Sequence, residues 1–229
     1  MTKPKFLVCT MYCGEPDYLR CVTAVKEQQG VEVEHRVISY MPERAAHNVV
    51  YQAFNQAGPE WYRAKIDADV ELGGPHVLAR IANAFQRFPD RHGLSPLVHD
   101  FMTDTELHAG VFFYTHHVKF KVQEDHLMCD RDMIIDPHTH GFGDVECVGK
   151  HMHQANEVTA FRYGLHRGLK RQESTLVKVQ AAYARHRDPI RLMAIKGFEV
   201  GLHADRNSRH NYGDAAFMEA FRRAKGIVR

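Results

Sequence analysis

The first half of the chain alternates short apolar runs with amphipathic stretches, which predicts strands and helices in turn. Strand patterns cover residues 5–10, 31–39 and 61–66, and residues 93–101 and 107–114 predict two further strands. Helical spacing of apolar positions covers residues 17–29, 43–57 and 74–88. Alternation of strand and helix in units of ~30 residues is typical of a parallel sheet covered by helices.

In the second half of the chain the predicted elements change from alternating strands and helices to helices alone, after one last strand. Residues 147–151 predict a last edge strand, which would place His151 and His153 on the same face. Helical patterns follow at residues 156–171, 174–185, 190–202 and 215–225. We therefore expect an α/β domain over residues 1–153 and a helical C-terminal extension packed on it over residues 154–229.

Composition excludes several classes of protein. The 229 residues are 44% hydrophobic and 25% charged, as in ordinary globular proteins, and the net charge of +2 gives no electrostatic case for nucleic acid. No apolar run approaches the ~18 residues of a membrane span, and the N-terminus lacks a signal-peptide pattern. Five cysteines without a Cys-x-x-Cys pair predict reduced thiols in a cytoplasmic protein, with peripheral binding at the inner face of a membrane as a second option.

Two carboxylates, Asp67 and Asp69, follow the buried strand at residues 61–66, and Gly73-Gly74-Pro75 then breaks the chain. Ligands of open α/β sheets bind beyond the carboxyl ends of the strands, where carboxylates at i and i+2 can converge on one hard divalent cation. The alternative is that Asp67 caps the next helix while Asp69 is solvated. Lys65, on the same strand face as Asp67, would either pair with Asp67 or reach a phosphate.

Four short motifs occur in a characteristic order in residues 4–72. They are Thr10-Met11-Tyr12-Cys13, Tyr18-Leu19 with Cys21-Val22, Ala45-Ala46-His47-Asn48 leading to Ala57-Gly58, and Lys65-Ile66-Asp67-Ala68-Asp69. In this order they resemble family-2 glycosyltransferases of the GT-A fold. The resemblance implies a Rossmann-like, mostly parallel sheet that binds a nucleoside diphosphate sugar.

The resemblance implies transfer of a sugar from that donor to an acceptor hydroxyl, with inversion and with Mn²⁺ or Mg²⁺ as cofactor. Asp67 and Asp69 would hold the metal, and His151 and His153 compete for a further metal position. The donor would be contacted by residues near the ends of the first strands and helices, namely Thr10, Tyr12, Glu15, Asn48, Lys65 and Asp67. The catalytic base would be Asp125 or Asp132, between which the sequence does not choose.

The resemblance also suggests that the segment from His108 to Phe113, which contains Gly110, forms the acceptor loop. The acceptor itself is left open among a glycan, a lipid and a small molecule. A homodimer formed through the C-terminal helices is also left open.

One departure from the family pattern affects the donor site. The second strand ends in Ser39-Tyr40-Met41-Pro42, where an Asp-Asp-Gly-Ser-like turn would help to hold the nucleotide. The altered turn favours an alternative in which the chain is a catalytically silent binding or scaffold protein, whereas the Asp-x-Asp triplet opposes it. A nucleotidyltransferase would need a Gly-rich loop after the first strand, and a metallohydrolase a His-Glu-x-x-His motif, both of which are absent from the sequence. We therefore favour the glycosyltransferase.

Overall fold

The computed structural model describes residues 2–122, 140–142, 145–205 and 212–227. The chain forms two compact units. The first, called here the sheet unit, comprises Met1–Asp100 and Glu106–His153. The second, the helical unit, comprises Phe101–Thr105 and Gln154–Arg229.

Strands and helices alternate through the first part of the chain, as the sequence predicts. They are β1 (Lys5–Tyr12), α1 (Tyr18–Lys26), β2 (Glu32–Ser39), α2 (Glu43–Gln56), β3 (Trp61–Ile66), β4 (Val70–Leu72) and α3 (Val77–Arg87). Short strands follow: β5 (Gly93–Ser95), β6 (Val98–Asp100), β7 (Thr105–Leu107), β8 (Val111–Tyr114), β9 (His140–Phe142) and β10 (Gly149–His151).

The larger sheet has six strands in the order β2-β1-β3-β8-β5-β9. β1 pairs in parallel with both β2 and β3, whereas β8 runs antiparallel to its neighbours β3 and β5. β9 is again parallel to β5. Among these strands only β8 is reversed, so the predicted α/β class is confirmed with a mixed, mostly parallel sheet.

The central strand β1 is apolar on both faces because helices cover both sides of the sheet. Phe6 and Val8 belong to one hydrophobic cluster, which includes residues of α1 and α3. Leu7 and Cys9 point into a second cluster, which includes Val50 and other residues of α2. Because both faces of β1 are buried, the sequence of this strand is a continuous apolar run and does not alternate between apolar and polar residues.

A second sheet has the order β4-β10-β6-β7 and corrects three sequence predictions. The strand predicted at residues 93–101 is two strands in different sheets, because Pro96 lies between them and lacks an N–H for pairing. The strand predicted at residues 107–114 is likewise interrupted, at Gly110, whose φ is +67°. β10 is an interior strand between β4 and β6, and not the predicted edge strand.

The helical unit contains α4 (Glu157–Leu169), α5 (Glu173–His186), α6 (Pro189–His203) and α7 (Ala215–Lys225). Two of these helices begin at strong side-chain caps: the Asn156 side chain accepts a hydrogen bond from Thr159 N–H, and the Asp188 side chain from Arg191 N–H. Among the described residues, no helix combines the length and the apolar composition needed to cross a membrane.

Glycines bring α4 and α6 into close backbone contact. Gly164 faces the Ala194 carbonyl and Gly197 faces the Phe161 carbonyl so closely that a Cβ on either glycine would collide with the opposite backbone. Gly168 and Gly201 lie against each other one turn further along the two helices. The helical patterns at residues 156–171 and 190–202 did not predict this small-residue interface.

Candidate active site

Asp67 is held in place by a buried lysine at the carboxyl end of β3. The Lys65 side chain is 2% exposed, and its Nζ donates a hydrogen bond to Asp67 Oδ1 at 2.6 Å. The Asp67 side chain keeps 34% of its surface exposed. Of the two roles predicted for Lys65, the structure shows pairing with Asp67, which fixes this carboxylate while leaving part of it open to a ligand.

The backbone around Asp67 depends on Gly110. Asp67 N–H donates to the Gly110 carbonyl at 2.8 Å. Gly110 has a φ of +67°, and a Cβ there would lie 2.7 Å from Val70 Cγ2 and 3.5 Å from Asp67 Oδ2. Glycine is therefore needed both for the left-handed backbone and for the close approach to the strand end that carries Asp67.

Asp69 lies beside His151, which reaches it from the second sheet. His151 Nε2 is 3.5 Å from Asp69 Oδ1, and His151 Nδ1 is 2.6 Å from Asp100 Oδ1. The His151 and Asp100 side chains are 6% and 0% exposed. His151 is thus a buried imidazole between two carboxylates, one of them at the Asp-x-Asp triplet.

The two carboxylates and the burial of the ring act in opposite directions on the pKa of this imidazole. Burial acts to lower the pKa of His151, but the charge of Asp69 and the hydrogen bond to Asp100 outweigh it and raise the pKa to about 10. The cluster therefore strongly favours a positive charge at the Nε2 position, whether a proton or a metal cation supplies it.

These donors fit a divalent cation with few protein ligands. Two atoms bound at about 2.1 Å to one octahedral ion at right angles lie about 3 Å apart, close to the separation of Asp69 Oδ1 and His151 Nε2. A metal-bound histidine usually donates its other N–H to a carboxylate, as His151 does to Asp100. Within the described parts of the chain no group of three or more His, Cys, Asp or Glu side chains forms a complete site, so water and substrate oxygens would complete the coordination.

An aromatic cluster lies at the carboxyl ends of β1 and β2. The rings of Tyr12 and Tyr18 are stacked at 4.0 Å, and the Tyr40 ring meets Tyr12 edge-on at 5.3 Å. Tyr40 follows β2 with a φ of +55° and is 72% exposed. The turn that departs from the family pattern therefore presents an open aromatic face on the sheet edge where β1 also ends.

The structure places the other predicted donor residues less favourably for ligand contact. Thr10 is fully buried and hydrogen-bonds with His35 Nε2 at 3.0 Å. Glu15 is 8% exposed, and its carboxylate accepts hydrogen bonds from Cys13 N–H and Sγ. Asn48 lies half-buried on α2.

The two candidate histidines, His151 and His153, lie on either side of the end of β10. Met152 has a φ of +56°, so strand alternation stops there, and His153 is exposed while His151 is buried. His153 therefore does not share the face of His151, contrary to the sequence prediction.

The two candidates for the catalytic base, Asp125 and Asp132, lie outside the described residues.

Sequence reasoning missed Asp100. The pattern of residues 93–101 predicts one continuous strand and does not show that Asp100 ends a separate strand, β6, beside β10. A signal was present in the sequence, since Asp100 is a carboxylate near the end of a predicted strand, as Asp67 is.

Similarity to known proteins is found in structure and not in sequence. The chain matches no protein-family model, and no curated protein matches it in sequence. Among solved structures, it is similar to a mannosyltransferase from Pyrobaculum calidifontis, determined in complex with GDP-mannose and Mn²⁺. The two share 11% identity with a TM-score of 0.47, over 99% of this chain and 75% of that chain.

Proposed function

We propose that this chain is a metal-dependent glycosyltransferase of the GT-A type, which moves a sugar from a nucleoside diphosphate donor to an acceptor hydroxyl. The observation that carries the proposal is the meeting of His151 and Asp100, from the second sheet, with Asp69 and Asp67 at the carboxyl end of β3. Asp-x-Asp at the end of a central parallel strand is where a nucleotide diphosphate and its cation would bind.

Asp69 and His151 are the proposed protein ligands of Mn²⁺ or Mg²⁺. Asp67, oriented by Lys65, faces the donor ribose or a water of the metal. When bound, the cation neutralises the negative charge that develops on the leaving diphosphate. His153, exposed beyond the strand end, is the weaker candidate for the histidine ligand.

The protein's own groups contribute orientation. The buried Lys65 ammonium holds Asp67 in one position, and Gly110 lets the neighbouring loop approach that carboxylate. Tyr40 offers an exposed ring on which a nucleobase can stack, in place of the acidic turn of the family pattern. The base that takes the acceptor proton is proposed to be Asp125 or Asp132.

The first experiment measures thermal unfolding of the full chain against GDP, UDP, ADP, CDP and the corresponding sugars, with and without Mn²⁺. A ligand that binds only the folded protein stabilises it by ~2.7 kcal/mol at a hundredfold excess over its dissociation constant. We expect a rise in melting temperature for one nucleotide that requires the metal. Release of the nucleoside diphosphate from that donor then tests turnover.

Asp69→Asn is the informative variant, and Glu71→Gln is its matched control. Both substitutions remove one negative charge, but Glu71 pairs with Arg20 at 3.2 Å on the surface instead of facing His151. The metal-dependent shift should persist in Glu71→Gln and be lost in Asp69→Asn. No shift with any nucleotide in the wild-type protein would overturn the proposal in favour of a binding or scaffold protein.

A further inference from the structure

Asp100 is a fully buried carboxylate in contact with His151. It is 0% exposed, and its Oδ1 lies 2.6 Å from His151 Nδ1. The register of β10 against β6 places His151 directly beside Asp100 across a parallel pair. A buried carboxylate is costly unless it is paired, and His151 is such a partner for Asp100.

The hydrogen bond determines which imidazole nitrogen is available. A carboxylate accepts hydrogen bonds and does not donate them, so Nδ1 must carry the proton. That leaves Nε2, the nitrogen facing Asp69, as the atom that can bind a cation. The backbone also holds the end of β10 against Asp69, because Met152 N–H donates to the Asp69 carbonyl at 2.8 Å.

We propose that Asp100 is a positioning residue, which holds His151 with Nε2 directed at the metal and thereby sets the affinity and selectivity of the site. The inference rests on the metal site of the proposed function, and it adds a residue that would touch neither metal nor substrate. Its negative charge makes Nε2 a stronger electron donor, as in carboxylate–histidine–metal arrangements.

Selectivity follows from the chemistry of the ligand that Asp100 supports. Imidazole suits transition metals, whereas Mg²⁺ prefers carboxylate, carbonyl and water oxygens. A weakened His151 should therefore cost more Mn²⁺ affinity than Mg²⁺ affinity. A carboxylate that served only to stabilise the fold would not change that ratio.

The test is a Mn²⁺ titration of the full chain, followed by electron paramagnetic resonance of the free ion and repeated in competition with Mg²⁺. The main variant is Asp100→Asn, which keeps the size of the side chain and an acceptor oxygen but removes the charge. We expect Mn²⁺ to bind about tenfold more weakly, with a larger loss, up to about a hundredfold, in Asp100→Ala. The Mn²⁺/Mg²⁺ preference should fall in both variants.

Asn55→Ala is the control for lost stability. Asn55 makes two hydrogen bonds to the backbone of Phe120, and α2, which carries it, packs on the larger sheet. Its removal should lower the melting temperature without changing Mn²⁺ affinity.

The outcomes separate this inference from the proposed function. Mn²⁺ affinity of Asp100→Asn within about twofold of wild type, well short of the expected change, would overturn the positioning role even if nucleotide binding required metal. Weakened Mn²⁺ binding in the variants, with no metal-dependent nucleotide shift in the wild type, would support the positioning role and overturn the transferase. A wild-type protein that binds no Mn²⁺ would overturn both.

Discussion

His151 and Asp69 are joined twice, once through their side chains and once through the adjacent backbone. His151 Nε2 lies 3.5 Å from Asp69 Oδ1, and the next residue, Met152, donates its N–H to the Asp69 carbonyl at 2.8 Å. The two contacts tie the end of β10 to the Asp-x-Asp triplet. A side chain from a distant part of the sequence is thereby fixed relative to the strand end where the cation is proposed to bind.

Tyr40 should contribute to nucleotide affinity. Base–aromatic stacking is worth about 1–3 kcal/mol per base, so Tyr40→Ala should weaken binding of the preferred nucleoside diphosphate by about 5- to 150-fold. Tyr40→Phe keeps the ring and should bind nearly as well as wild type. Isothermal titration in Mn²⁺ measures both variants, and equal affinity of wild type and Tyr40→Ala would exclude a stacking role.

The packing of α4 on α6 predicts that Gly197→Ala destabilises the helical unit. Alanine is favoured over glycine within a helix by about 1 kcal/mol, but its Cβ would collide with the Phe161 carbonyl, and such overpacking costs about 1–3 kcal/mol. Since the collision is with backbone, which gives way less easily than a side chain, we expect a net loss. Urea unfolding followed by far-UV circular dichroism measures it.

Gly213→Ala is the matched control for this substitution, because no atom outside its chain neighbours lies within 4 Å of a Cβ placed there. Its unfolding midpoint should stay close to wild type, within about 0.5 kcal/mol. Equal midpoints for Gly197→Ala and the control would mean that the two helices can separate without cost.

We expect the free energy of unfolding of the helical unit to depend on pH through Asp104. Hydrogen bonds from His186 at 2.9 Å and from Arg185 at 3.0 Å hold the pKa of Asp104 down at about 2. Because this lies below the ordinary value of about 3.9, the stabilisation is present above about pH 4 and is lost as the pH falls toward 2. The side chain is partly exposed, so the effect should stay below about 1 kcal/mol.

Asp104→Asn provides the comparison, since asparagine also tolerates the positive φ of this position. Urea midpoints of wild type and variant should differ at neutral pH and converge as the pH approaches 2. A difference that stayed constant over this range would show that the charge of Asp104 contributes nothing.

Patterns along the chain were sufficient for the elements that bury a regular face. Trp61–Ile66 was predicted with the same bounds that the structure shows, because a buried strand followed by two aspartates has a clear end. Short strands were predicted less well. Residues 93–101 have one strand pattern, yet Pro96 divides them between two sheets, a division that depends on partners elsewhere in the chain.

The residues of the candidate site also fall into two groups, those that local patterns predict and those that depend on partners elsewhere in the chain. The sequence identified Asp67 and Asp69 because local order alone places carboxylates at a strand end, and it identified Lys65 because residues i and i+2 of a strand share a face. It could not distinguish His151 from His153, since the choice depends on where β10 ends. It also missed the fixing of His151 by Asp100, because that contact joins strands far apart in the chain.

The alternation of strands and helices, the α/β class and the position of the Asp-x-Asp triplet could all be predicted from the sequence. These features follow from local periodicity and from the cost of burying unpaired charge, and both can be judged from residues that are close together in the sequence. The folded structure was needed to show which histidine meets Asp69, which carboxylate contacts that histidine, and how closely α4 approaches α6. Each of these depends on contacts between residues that are distant in sequence, which no local pattern records.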